Sequence, residues 1–357
     1  MNIAAYVICA LLAFATIVFP IGAIIAGKIK LRRALKPIEY YPPRGFSPID
    51  VLIEYYGFRA NTHALLNPLM LYWADCGFIT IEEDCKRGLK LTKLRDIKQN
   101  ADRDSRYFEL KIDEIGKLKD IDFEAEKTLF DAIFSEGDVF YTLAARSVYL
   151  DRNKEFINSC KTNALTVKSK TSKKLSIAAF LLAFLSAVIS TLTIGVASNG
   201  GGIFGVMLFP IIGMIAFRFI PNESGMITAI KVPFFAVWGG APLCVVLALI
   251  PWHYAVTLAV VVICSAVTII LLADRIDIRD DKHIELYGRI DAFKTFLIDA
   301  EADRINTLVE ENPNYYYDVL PYCYILKITD KLKTKFDRIA LDGPSWYLGD
   351  LRDTLMF

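Results

Sequence analysis

Between Leu175 and Ala273 the chain carries almost no formal charge, and this stretch restricts how the rest can fold. Four apolar runs can be cut from it: Leu175–Val196, Ile203–Phe219, Val232–Ile250 and Tyr254–Ala273. Each is close to the roughly 20 residues a helix needs to cross the hydrocarbon core of a bilayer. Lipid offers backbone N–H and C=O groups no water, so only helices and closed barrels span it. Continuous apolar runs lack a barrel's alternation. The expectation is a four-helix transmembrane block over 175–273. Composition agrees: 54% of the 357 residues are apolar, above the roughly 45–50% of soluble domains, and mean hydropathy is +0.37.

A fifth span is expected at the N-terminus. Asn2–Gly27 is apolar and ends in Lys28, Lys30, Arg32, Arg33 and Lys36. A cleaved signal peptide places its basic residues before a shorter apolar core. Charge after the core reads instead as an uncleaved anchor over 1–27 with its N-terminus outside. Pro20 and Gly22 are expected to kink or loosen its inner third.

Residues 28–174 read as a cytosolic α+β region. Pro37, Pro42, Pro43 and Gly45 form a stiff link. Ser47-Pro48 then starts a helix, with Ser as N-cap and Pro at the first helical position. A second helix over Thr62–Cys76 closes at Gly77. Strands Phe78–Glu82 and Leu89–Leu94 follow, joined around Lys86-Arg87-Gly88. Helix, helix, hairpin is the order of a winged-helix unit. Further on, Tyr107–Ile112 and Val139–Leu143 suggest strands, and Phe123–Phe134 and Leu150–Asn163 suggest helices. The last region, 274–357, is expected to be helical. It opens with one long amphipathic helix whose apolar stripe runs from Leu286 to Leu308. That stripe needs a cover, and residues 40–170 are the nearest candidate.

Lys and Arg near span ends stay cytoplasmic. The loops 197–202 and 251–253 hold neither residue, whereas Arg218, Lys231, Arg275, Arg279 and Lys282 flank the others. Five spans, N-terminus outside and C-terminus cytoplasmic, satisfy every loop of a multi-pass cell-membrane protein.

Short motifs in order carry a family resemblance. Pro42-Pro43-Arg44-Gly45-Phe46-Ser47-Pro48 and Gly77-Phe78-Ile79-Thr80-Ile81 stand in the first polar region. In the last stand Gly288-Arg289, Phe293-Lys294-Thr295-Phe296-Leu297, Glu301-Ala302-Asp303-Arg304-Ile305, Asn312-Pro313, Leu320-Pro321-Tyr322 and Pro344-Ser345-Trp346-Tyr347. Together they resemble the YciQ-like family of bacterial membrane proteins, a domain of unknown function. The resemblance implies an extracellular β-rich domain ahead of the anchor, expected to be missing from this chain. It implies no reaction. Pro43, Ser47, Pro48, Gly77, Glu301, Arg304, Pro313, Pro321, Tyr322 and Trp346 are the motif residues, read as structural.

Candidate chemistry is sparse. Thr62–Cys76 as recognition helix and Lys86-Arg87 as wing tip would suit DNA. Residues 40–174, however, hold 22 Lys+Arg against 21 Asp+Glu, without the local cationic excess that phosphate contacts need. Nucleic acid is therefore not an expected partner. Glu301 and Arg304, at i and i+3, suit an ion pair on a helix surface. The run Tyr315-Tyr316-Tyr317, with Tyr322 and Tyr324, suits ring packing or ligand stacking. His63, His253 and His283 fall on opposite sides of the expected membrane, so no zinc site is read. The seven cysteines include no C-x-x-C pair. No catalytic, metal or cofactor site is assigned.

The expected function is that of a non-enzymatic membrane-tethered interaction or signalling module with a cytosolic protein-binding body. The alternative is a small-solute or lipid transporter, in which Gly200-Gly201-Gly202, Pro210, Gly213, Gly239-Gly240 and Pro242 break helices around a substrate. Against it, the expected spans hold almost no ionisable residues, and small residues also serve close packing. The expected partners are the bilayer, a protein bound by the cytosolic body, and anionic lipid at Lys168–Lys174.

Overall fold

A computed structural model describes residues 3–43, 46–57, 65–84, 86–97, 126–142, 167–198, 244–245, 248–336 and 343–348. The chain forms two compact units, 1–33 with 168–280 and 34–167 with 281–357. It is mostly helical, with one small mixed sheet.

The first unit contains α1 (Ile3–Arg32), α5 (Lys170–Ala197) and α6 (Trp252–Val267). The last of these continues through a π-helical stretch, Thr268–Leu272, into a 3-10 turn, Ala273–Arg275. At 30, 28 and 24 residues, these three helices are long and apolar enough to cross a membrane. Pro20 and Gly22 lie within one assigned helix, which runs on through Lys28 and Lys30 to Arg32. The expected span at 203–219 lies outside the described residues, as does most of the one at 232–250.

The helices meet through small side chains. The buried positions of α1 are Ala5, Cys9, Ala13, Thr16, Pro20 and Gly27. Those of α5 include Ser176, Ala179, Ala183, Ala187 and Ser190. Phe14, Ile21, Leu181, Leu185, Val256 and Ile263 face outward. In lipid, burying a leucine between helices gains little over leaving it among acyl chains, whereas close backbone approach gains dispersion. Gly27 is the tightest point. A Cβ there would collide with the Asp277 carbonyl oxygen, an obstacle that has no rotamer to change.

In the second unit, α2 (Pro48–Tyr56) begins with Ser47 as N-cap and Pro48 at N1, and the Asp50 carboxylate accepts the Ser47 backbone N–H at 2.7 Å. α3 (Leu66–Asp75) follows, and Gly77, at φ +73°, turns the chain into β1. A side chain is disfavoured at that backbone angle. β1 (Ile79–Asp84) and β2 (Gly88–Lys93) form the hairpin, residues 126–133 form α4, and β3 (Val139–Tyr141) pairs with β2. The expected elements at 107–112 and 150–163 lie outside the described residues.

The last region supplies α7 (Asp281–Asp299), α8 (Ala302–Glu311), α9 (Tyr315–Leu326), α10 (Thr329–Phe336) and β4 (Tyr347–Leu348). The single long helix expected through Leu308 is two. Glu301, at φ −70° and ψ 155°, breaks it and serves as N-cap of α8. The break lets Ile305 and Leu308 bury in the same core as Leu286, Ile290, Phe293 and Leu297, which a straight helix would carry past it.

The sheet order is β3-β2-β1-β4, with β4 parallel to β1 and the other pairs antiparallel. Phe140, Leu91, Ile81 and Tyr347 stand opposite one another across all four strands, and all are buried. A one-residue slip of any strand would turn its share of that row to the other face.

Candidate functional site

The described residues offer two constellations, one in each unit. In the first unit, the C-terminal end of α6 leaves backbone carbonyls without helical partners, and side chains from the start of α5 take them. The Ser172 hydroxyl donates to the Ile276 carbonyl at 2.8 Å and accepts from the Ile278 N–H at 3.2 Å. Ser176 donates to the Ala273 carbonyl at 2.7 Å, and the Lys168 ammonium to the Asp274 carbonyl at 2.5 Å. From α1, Lys30 donates to the Arg279 carbonyl at 3.2 Å. Further along, the Thr268 hydroxyl, at the π stretch, donates to the Thr16 carbonyl at 2.9 Å.

This clasp ties together the C-terminal ends of α1 and α6 and the N-terminal end of α5, the ends that carry Lys28, Arg32, Lys170, Lys173, Lys174 and Arg275. Aromatic rings gather at the opposite end. Tyr6 stacks on Tyr254 at 5.3 Å, and His253 lies 4.6 Å from Tyr254. Ser172→Ala removes both bonds of the Ser172 hydroxyl. Each hydrogen bond between membrane helices is worth about 0.6 kcal/mol on average and at most about 1.7. Unfolding in mixed micelles should therefore show a loss of roughly 1–2 kcal/mol; an unchanged transition would rule out the clasp.

In the second unit, several of the residues quoted from the short motifs lie at the joint between 34–167 and 281–357. The Tyr322 hydroxyl donates to the Phe46 carbonyl at 2.7 Å, three residues after the buried Pro43. Pro321 is buried within α9, whereas Pro313 is exposed between α8 and α9. The Trp346 carbonyl accepts from the Ile81 N–H at 2.9 Å as β4 joins β1. Arg304 places its guanidinium 4.6 Å over the Tyr40 ring, while Glu301 is exposed as the cap of α8. The Tyr315 hydroxyl donates to the Tyr40 carbonyl at 2.8 Å, and Arg289 pairs with Glu39 at 2.6 Å. The tyrosines thus pack and bind backbone across the joint.

Polar pairs, most of them buried or half-buried, line the same joint. His283 Nδ1 lies 2.9 Å from Glu54 Oε2. Within 34–167, and not across the joint, Trp73 Nε1 donates to Glu126 Oε1 at 2.8 Å, 53 positions along the chain. The Tyr55 hydroxyl donates to Asp291 Oδ1 at 2.8 Å, and Lys36 meets the other oxygen of that carboxylate at 2.5 Å. Nothing short of the tertiary fold could have paired residues more than 200 positions apart.

Burial and then the Asp291 carboxylate push the Tyr55 phenol well up, and burial does the same for Tyr315. A phenol whose pKa is raised on folding contributes stability fully below the unfolded value of about 10. That contribution is lost as pH rises through the folded value. An alkaline absorbance titration should leave these two phenols protonated until the unit unfolds, with stability falling above pH about 10. Complete tyrosine ionisation in the still-folded protein would contradict their burial.

Within the Thr62–Cys76 stretch that a DNA-binding winged helix would use, α3 has only Asn67 exposed, the rest of the helix being buried or half-buried. Arg87 at the hairpin turn lies 4.2 Å over the Tyr141 ring. His63 lies outside the described residues, and no group of three or more potential metal ligands occurs among the described ones. The chain matches no protein-family model, no curated protein and no solved structure.

Proposed function

We propose that this chain is a five-span cell-membrane protein of the YciQ-like kind. Its second unit would be a cytosolic, winged-helix-like body that binds a protein partner without catalysing a reaction. The observation that carries this reading is that the two polar segments flanking 168–280 share one core and one sheet. Both ends of a membrane excursion over 168–280 would then lie on one side, so it would cross an even number of times. The apolar runs at 203–219 and 232–250 support four crossings there and five in all. Basic residues at the clasped ends favour the cytoplasmic side for that end, with the N-terminus outside. Lys168 to Lys174 would there meet anionic lipid. The helix, helix, hairpin order supports the winged-helix reading; the added strands β3 and β4 depart from it.

Cys323 is fully buried, and burial raises its thiol pKa, so it is a poor reporter of sidedness. Thr295 is exposed on α7. Thr295→Cys should react with an impermeant maleimide only after lysis; labelling of intact cells would overturn the topology. For the function, crosslinking in native membranes should join the second unit reproducibly to one soluble protein. Solute flux in proteoliposomes of the pure chain, with no such partner, would favour the transporter instead.

A further inference from the structure

We propose that Leu35, Pro37 and Ile38 anchor the second unit to the bilayer surface by inserting among lipid headgroups. The proposal rests on the reading of α1 as a membrane span. The three residues stand on a strap, 34–40, whose polarity is reversed. Leu35 is 84% exposed, the most of any large apolar side chain among the described residues, and Ile38 is 76% exposed. Pro37 between them is exposed as well. The two charged residues beside them reach the other way, onto α7. Lys36 pairs with Asp291 at 2.5 Å, and Glu39 with Arg289 at 2.6 Å.

The strap is fixed along its length. Gly288 of α7 admits the Leu35 carbonyl so closely that no Cβ fits. At the other end the Tyr40 ring meets Phe296 edge-on at 4.9 Å, and the Tyr40 carbonyl accepts from the Tyr315 hydroxyl at 2.8 Å. The outward aim of Leu35 and Ile38 is therefore built into the fold. Apolar residues exposed singly are ordinary, whereas a contiguous exposed patch marks a protein or membrane contact. Partly exposed ion pairs contribute only modestly, so the two pairs do not by themselves favour leaving leucine and isoleucine in water.

Chain continuity selects lipid as the occupant. The 30 residues of α1 make a helix of about 45 Å at 1.5 Å per residue. A bilayer with its headgroup layers is about 40–45 Å thick, so a spanning α1 ends among headgroups. Its last residue is Arg32, and Leu35 follows three positions later. Three residues reach at most about 11 Å, which keeps Leu35 within or beside the headgroup layer. Arg32 and Arg33, both exposed, supply cations for lipid phosphate at the entry to the strap.

The test uses the full chain in native membranes. Pro37 is replaced by p-benzoylphenylalanine, and in a second variant Ile21, an exposed residue of α1, is replaced instead. Irradiation joins the probe to whatever touches it, and mass spectrometry identifies the adduct. Phospholipid adducts are expected at both positions. L35N/I38N should cut the adducts at position 37 several-fold and leave those at position 21 unchanged. Both side chains lie outside the buried core, so the limited-proteolysis pattern should match that of the parent. Lipid at position 21 with none at position 37 overturns the anchor and leaves the span standing. An adduct at position 37 with a second copy or another protein in place of lipid does the same, as do lipid adducts that L35N/I38N fails to reduce. Absence of lipid at position 21 overturns the span reading, and the anchor with it.

Discussion

Gly288→Val should strongly destabilise the second unit. Gly288 lies in the middle of α7, and a Cβ there would collide with the Leu35 carbonyl oxygen and lie 3.2 Å from the Ala34 Cβ. Two effects compete. Helix propensity favours a side chain over glycine by up to about 1 kcal/mol. Overpacking typically costs about 1–3 kcal/mol where neighbouring side chains can move aside. Here the obstacle is backbone, so the cost should lie at or above the top of that range. A loss of about 3 kcal/mol or more is a large part of the roughly 5–15 kcal/mol that holds a domain folded. Denaturant unfolding followed by tryptophan fluorescence, with limited proteolysis alongside, would measure it. Gly288→Ala should show a smaller loss of the same sign. A valine variant with the wild-type midpoint would mean that Leu35 and Gly288 do not meet.

A chain ending at Asp280 should keep its long apolar helices and lose its second unit altogether. It would lack Ile290, Phe293, Leu297, Leu320, Leu326 and Phe336, all buried in the core shared with α2, α3 and the hairpin. Fully burying such side chains contributes roughly 1.5–3 kcal/mol each. Six of them come to roughly 9–18 kcal/mol, as large as the whole stability of an ordinary domain. Strand β1 would also lose its parallel partner β4, exposing an unpaired edge. Protease treatment of membranes should digest 34–167 in the shortened chain and spare it in the full one. If that segment stayed resistant, the core would not depend on the distant segment.

What could be read from the chain follows from how local each signal is. Apolar runs long enough to cross lipid mark helices whatever their surroundings, because the backbone must satisfy itself within the segment. The helices α1, α5 and α6, long and apolar enough to cross a membrane, needed nothing more. Ser47-Pro48 and Gly77 were legible for the same reason, since a cap and a left-handed turn are decided within a few residues. The break at Glu301 was not. The apolar stripe continues through it, and only the need of Ile305 and Leu308 to reach a compact core folds the chain there.

The helical character of the long apolar runs seen as α1, α5 and α6 and the helix, helix, hairpin order that follows Ser47 were thus determined by the sequence alone. Tertiary structure decided the rest: that Trp346 and Tyr347 join a sheet begun at Ile79, and that backbone carbonyls approach Gly27 and Gly288 too closely for a side chain. Each of these depends on residues far apart in the chain arriving at the same place. Periodicity and composition encode which face of an element is buried. What covers that face emerges only when every buried surface has to be satisfied at once.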